Sequence, residues 1–181
     1  MTFPLSQFGA GDRRSCTEQA YQRFASQLGN FSFVQPFYIT SAQLLALNAT
    51  PVTILAAPGA GRAIIIDRAV LFYDYDGLST PYVVDSTTSD FVLRYTDGSG
   101  SILCQCAATG FVTELNDESR IAYPFRAASG DSDVEPTANA AVVLHMTTAE
   151  ITTGTSPLKL EVTYRIVKTD LSYIPTTQTV T

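Results

Sequence analysis

From residue 34 onward the chain repeats one pattern: short runs rich in Val, Ile, Tyr, Phe and Thr, cut by turn-forming residues. Pro36, Pro51, Pro58-Gly59-Ala60-Gly61, Asp76-Gly77, Asp97-Gly98-Ser99-Gly100 and Gly154 supply the cuts, and each run between them has the length of a strand. Leu158, Leu160, Val162, Tyr164 and Ile166 alternate with Lys159, Glu161, Thr163, Arg165 and Val167, the period-two signature of a strand with one wet face. Phe91, Leu93 and Tyr95 alternate with Val92, Arg94 and Thr96. Asp97 to Gly100 then turns the chain into Ile102, Cys104 and Cys106, which predicts a hairpin whose cysteines face the core. Ala63 to Tyr75 is a longer apolar run. Its segments Ile64-Ile65-Ile66 and Val70-Leu71-Phe72 imply a central strand, buried on both faces or bent around Asp67-Arg68.

Phe37 to Thr40, Thr50 to Ala56, Arg120 to Phe125 and Asn139 to Met146 complete a set of about eight strands. Ser41 to Leu47 fits one helical turn, and Gly77 to Ser89, Gly110 to Ser119 and Ala127 to Thr137 read as loops. The expected fold class is all-β: an antiparallel two-sheet sandwich over 34–181, with a jelly roll the leading topology and other Greek keys open.

Residues 1–33 have a different character. Ser15 and Glu18 have the spacing of a capping box, Gly29 stands where a helix stops, and a short helix over Cys16 to Leu28 follows. Ala20, Tyr21, Phe24, Ala25 and Leu28 share one arc, opposite Glu18, Gln19, Gln22, Arg23 and Ser26. A helix of this length is marginal alone in water, whereas burying Phe24 or Leu28 contributes roughly 1.5–3 kcal/mol each. Contact with another surface therefore orders it. A docking arm onto a neighbouring subunit or particle is expected, with Phe3, Phe8, Arg13, Arg14, Tyr21, Phe24 and Leu28 as its partner-binding residues. The alternative is a lid folded over the chain's own sandwich.

Charge narrows the partners. With 11 basic against 17 acidic residues the net charge is −6, which argues against a broad phosphate-binding surface and hence against nucleic acid. The arm holds Arg13, Arg14 and Arg23 against Asp12 and Glu18, so it opposes the body in sign. No stretch approaches the roughly 20 apolar residues that cross a bilayer, and the start MTFPLSQFGAGDRRSC lacks a basic segment followed by an apolar run. No membrane association is expected.

Candidate chemistry is sparse. His145 is the single histidine and lies in the strand run Val142 to Met146; no G-x-S-x-G elbow accompanies it, and one imidazole cannot make the several-histidine set of a metal-dependent cupin. Asp131, Asp133 and Glu135 begin like a calcium loop but lack its glycine and distant glutamate. Asp74, Asp76, Asp85 and Asp90 read as solvated strand ends, and Pro58 to Arg62 as a tight turn, since no G-K-[ST] follows. Cys104 and Cys106 are two apart on one strand face, too distant for a relaxed bridge. With 9 Tyr and 10 Phe an exposed aromatic platform for sugars is an alternative to core packing, weakened by the absence of Trp. No catalytic residue, metal or cofactor is predicted.

The segment SAQLLALNATPVTILAAPGAGR at 41–62, with Tyr95-Thr96-Asp97-Gly98 and GTSPLKLEVTYRIV at 154–167, resembles small β-sandwich structural proteins from the morphogenesis regions of tailed bacteriophages. The resemblance spans Ser41 to Val167. It implies a virion component made in the host cytoplasm. The leading role is a head decoration or cement protein, often a homotrimer of jelly rolls, bound to the major capsid protein or another virion protein. A tail or adaptor component, or a glycan-binding module for host attachment, is the alternative. Deleting residues 1–33 separates the two readings of the arm: a docking arm predicts a folded body that no longer sediments with particles, a lid predicts loss of stability. Particle binding retained after the deletion contradicts the arm.

Overall fold

The period-two runs become ten strands among the described residues, which are 32–74, 80–84, 88–113, 119–122 and 136–169 of a computed structural model. The expected helix over 16–28 and the rest of the expected arm lie outside them, apart from Ser32 and Phe33, the latter being the first residue of a strand. In chain order the elements are β1 (Phe33–Ile39), α1 (Ser41–Leu45), β2 (Val52–Leu55), β3 (Arg62–Asp74), β4 (Val83–Val84) and β5 (Asp90–Tyr95). They continue with β6 (Ile102–Ala107), β7 (Ser119–Ala122), β8 (Val142–Met146), β9 (Ile151–Thr152) and β10 (Leu158–Lys168). Among the described residues strand dominates and every pairing is antiparallel, consistent with an all-β chain.

Apart from the two-residue strands β4 and β9, which pair with each other, the strands pair as a nested set. β5 pairs with β6, β3 with β7, β2 with β8 and β1 with β10. Two further ladders, β3–β10 and β5–β8, join these pairs into two four-stranded sheets, β1-β10-β3-β7 and β2-β8-β5-β6.

Register follows from the alternation, because cross-strand partners share a face. On β10, Leu158, Leu160 and Val162 are buried opposite Tyr73, Leu71 and Ala69 of β3. On the other sheet Phe91, Leu93 and Tyr95 of β5 lie opposite Met146, Leu144 and Val142 of β8. Both rows belong to one apolar cluster, and Leu71 and Leu160 meet Phe91, Leu93, Cys104 and Leu144 along a shared seam. Each such side chain contributes roughly 1.5–3 kcal/mol on burial. Tyr95 also donates its hydroxyl to the carbonyl oxygen of Ile64, joining β5 to β3 across that cluster.

The expected bend in β3 is present. The ladder with β10 slips by one residue between Thr163 and Tyr164, so Asp67 is the extra residue of a β-bulge. Asp67 takes a forked pair from Arg165, with Nε at 2.9 Å and Nη2 at 2.8 Å, and accepts from the Ser32 hydroxyl at 2.8 Å. The guanidinium beside it holds its carboxyl below the ordinary range against the cost of burial, and the Ser32 hydroxyl adds a lesser pull in the same direction.

Three expectations need correction. The first strand begins at Phe33, four residues before Phe37, and carries Pro36 inside it. A proline is tolerated there because β1 is an edge strand, where a missing N–H removes nothing from the sheet interior. The segment Gly77 to Ser89 contains β4, too short for any periodicity to reveal. Asn139 belongs to a turn and not to β8, with φ +53° and its N–H bonded to the Arg62 carbonyl at 2.7 Å. The helical turn at Ser41 is as expected. Its start is explained by a capping box not read from the sequence: Gln43 N–H donates to Thr40 Oγ1, and Thr40 N–H to Gln43 Oε1 at 2.9 Å.

Gly154 shows how tightly the β9–β10 connection is built. It has φ +88°, and a Cβ there sits 2.2 Å from the ring of buried Tyr82, whose hydroxyl donates to the Ser156 carbonyl. Gly59, with φ +96°, has nothing within 4 Å of the same position. Thermal melts of Gly59→Ala and Gly154→Ala are therefore expected to separate. The first loses about 1 kcal/mol from backbone strain, and the second at least about 2 kcal/mol more because Tyr82 must move. Equal losses contradict this packing.

Candidate partner-binding surface

Three of the four large apolar residues left exposed among the described residues, Phe33, Val34 and Tyr38, lie on β1. Among the described residues this strand is paired on one side, with β10, and its burial alternates little: Val34 is 62% and Tyr38 74% exposed, and Phe33 is 39% exposed. Register explains the arrangement. Phe37 and Ile39 lie opposite Leu160 and Leu158 and turn toward the core, so Val34, Pro36 and Tyr38 share the opposite face with Thr163, Glu161 and Lys159. Phe33 stacks on Tyr164 with ring centroids 5.5 Å apart. The result is a row of aliphatic, proline and aromatic side chains along an open sheet edge.

The charges beside this row are already engaged. Lys159 Nζ is 3.9 Å from Glu161 Oε2 and 4.9 Å from the centroid of the Phe72 ring. Exposed pairs of this kind add little stability, but they keep a cation and an anion next to Tyr38. β3 and β10 hold Arg62, Arg68, Lys159, Arg165 and Lys168 against Asp67, Asp74 and Glu161, so this sheet is cationic within a chain of net charge −6. A tyrosine over mixed charge at an open edge is suited to protein contact.

The partner-binding residues expected from the sequence, Phe3, Phe8, Arg13, Arg14, Tyr21, Phe24 and Leu28, lie outside the described residues, as do Asp131, Asp133 and Glu135. Val34 and Tyr38 were not singled out. The available signal was Pro36 within an apolar run, which marks an edge strand whose outward residues need not meet a core.

His145 is on β8, 8% exposed, opposite Val92 of β5. Its Nε2 is 3.1 Å from the Asn48 carbonyl oxygen. A carbonyl only accepts, so Nε2 carries the proton and Nδ1, buried and without a partner among the described residues, is left as a lone pair. No serine or cysteine hydroxyl or thiol bonds to either nitrogen among the described residues, so the geometry of a nucleophile–base pair is absent there. Among those residues no group of three or more His, Cys, Asp or Glu is placed to hold a metal ion, and no helix is long and apolar enough to cross a membrane. Pro58 to Arg62 is the tight turn expected, closed by Arg62 N–H on the Gly59 carbonyl at 3.3 Å.

No family model, curated protein or solved structure matches the chain.

Cys104 and Cys106 lie opposite Leu93 and Phe91, on the core-facing side of β6 as expected, the first buried and the second half-buried. Burial pushes the Cys104 thiol up to about 12 and the Cys106 thiol up to about 11, Asp90 adding to the latter. Thiolate is the reactive form, so at pH 8 alkylation mapped by mass spectrometry is expected to be at least ~100-fold slower at both sites than in the unfolded chain. Rapid modification of Cys104 in the folded protein contradicts its placement.

Proposed function

We propose that this chain is a non-enzymatic structural protein of a tailed-bacteriophage particle, a capsid decoration or cement protein that binds the major capsid protein and acts as a homotrimer. Its ten strands are read as a jelly roll: eight principal strands pair first with last, second with seventh, third with sixth and fourth with fifth, the nesting expected when a long hairpin is rolled into two sheets. The observation that carries the binding role is the exposed row Val34, Pro36 and Tyr38 on a strand that lies at the sheet edge among the described residues. Support for the phage setting comes from the sequence resemblance over 41–167. The exposed Tyr38 ring also suits a glycan-binding module for host attachment, which is the second reading, and a tail or adaptor position is the third.

The test uses particles stripped of the protein and the double variant Val34→Asp, Tyr38→Ala. Truncating a central interface aromatic costs about 2 kcal/mol or more, so particle binding is expected to weaken by at least about 10-fold. Exposed substitutions away from the core change stability within about 0.5 kcal/mol, so the melting curve stays in place. Undiminished binding of the variant to particles removes this surface from the interface. Binding of the unaltered chain to host glycans and not to particles favours the second reading.

A further inference from the structure

The outer face of the second sheet carries a polar joint that the binding surface does not use. His145 lies at its centre. Three separate segments converge there: the turn after α1, the turn between β5 and β6, and the loop between β8 and β9. From the first, Asn48 offers its carbonyl to His145 Nε2 at 3.1 Å, while its Nδ2 donates to the Met146 carbonyl at 2.7 Å. From the second, Gly98 lies against the imidazole, close enough that an added Cβ comes within 3.1 Å of Nε2, and its carbonyl accepts from Arg94 Nη1. From the third, Glu150 receives the N–H groups of Asn48 at 3.0 Å and Ala49 at 2.7 Å.

We propose that His145 is a protonation-sensitive latch: as the neutral imidazole it holds the 46–50 and 96–100 turns onto β8, and on gaining a second proton it lets them go. The reason is geometric. Neutral His145 needs one acceptor and has one, in Asn48. The imidazolium needs two, and buried Nδ1 has no acceptor beside it among the described residues. The charged groups around it are Arg94 from β5, Asp97 from the β5–β6 turn and Glu150 from the β8–β9 loop; β6 presents uncharged Gln105 opposite Val92. Burial first and Arg94 second hold the imidazole below its ordinary 6.5, and the Asn48 bond, Glu150 and Asp97 do not offset them. A histidine whose folded pKa is depressed leaves stability intact above the unfolded value. The loss begins as pH falls below 6.5 and is complete below the folded pKa.

The chain has a single histidine, so its imidazole signals in a proton NMR titration are assigned without ambiguity. A midpoint below 6.5 is expected; one at or above that value overturns the latch. Amide exchange reads the release directly. Between about pH 7.5 and 5.5, after correction for intrinsic rates, the Asn48, Ala49 and Met146 amides are expected to open several-fold more relative to Leu160, with a ceiling of about 10-fold when the released imidazole titrates at its ordinary 6.5. His145→Gln removes the titrating group, and the same acceleration persisting in it overturns the proposal. Arg94→Gln gives an independent reading if the first variant does not fold: it is expected to raise the His145 midpoint, and an unmoved midpoint also overturns the proposal.

Discussion

Everything in this fold depends on the ladder between β3 and β10, strands far apart in the chain yet paired from Tyr73–Leu158 to Arg62–Lys168. Once these two lie side by side, the segment between them has its ends fixed, and β5–β6 closes inside it as a local hairpin. The free energy that holds the ladder is apolar burial of Leu158, Leu160 and Val162 with Leu71 and Ala69, against Phe91, Leu93 and Leu144 of the other sheet. Such non-local pairing delays its stabilising contacts until long loops have closed, so this topology folds slowly compared with helical chains. The bulge at Asp67 belongs to the same ladder, because it lets one strand carry a buried row on both sides of a bend.

Sequence patterning reached the principal strands because each carries its own period. Lys159, Glu161 and Thr163 against Leu158, Leu160 and Val162 leave no ambiguity about which face is wet, and Asp97 to Gly100 can only be a turn. Position within the sheet is a different kind of information. FVQPFYI does not say that β1 pairs with β10; Pro36 is compatible with a strand end and with an edge strand alike, and only the pairing decides for the edge. The same limit hid Val34 and Tyr38 as surface residues, since an apolar side chain declares a preference for burial and not the presence of a cover. β4 and β9 were hidden for another reason: two residues make no pattern, and tertiary pairing alone defines them.

The polar residues divide along comparable lines. Asp67 and Arg165 form an exposed pair that reports the bulge, and the N–H groups of Asn48 and Ala49 reach Glu150 because the fold brings the 46–50 turn against the loop after β8. His145 is legible in the sequence as a strand histidine, but its buried setting depends on Asn48 and Gly98, which come from segments distant in sequence. The proposed binding row and the His145 joint lie on different sheets, so partner contact and acid sensitivity are separable by substitution.

Electron cryo-microscopy of the intact particle, with and without this chain, is the most direct test of the proposed role. The account predicts added density on the outer surface of the head, at positions repeated with the capsid lattice, in which three copies fit with β1 turned toward the capsid protein. Density confined to the tail, or particles indistinguishable with and without the chain, contradicts it.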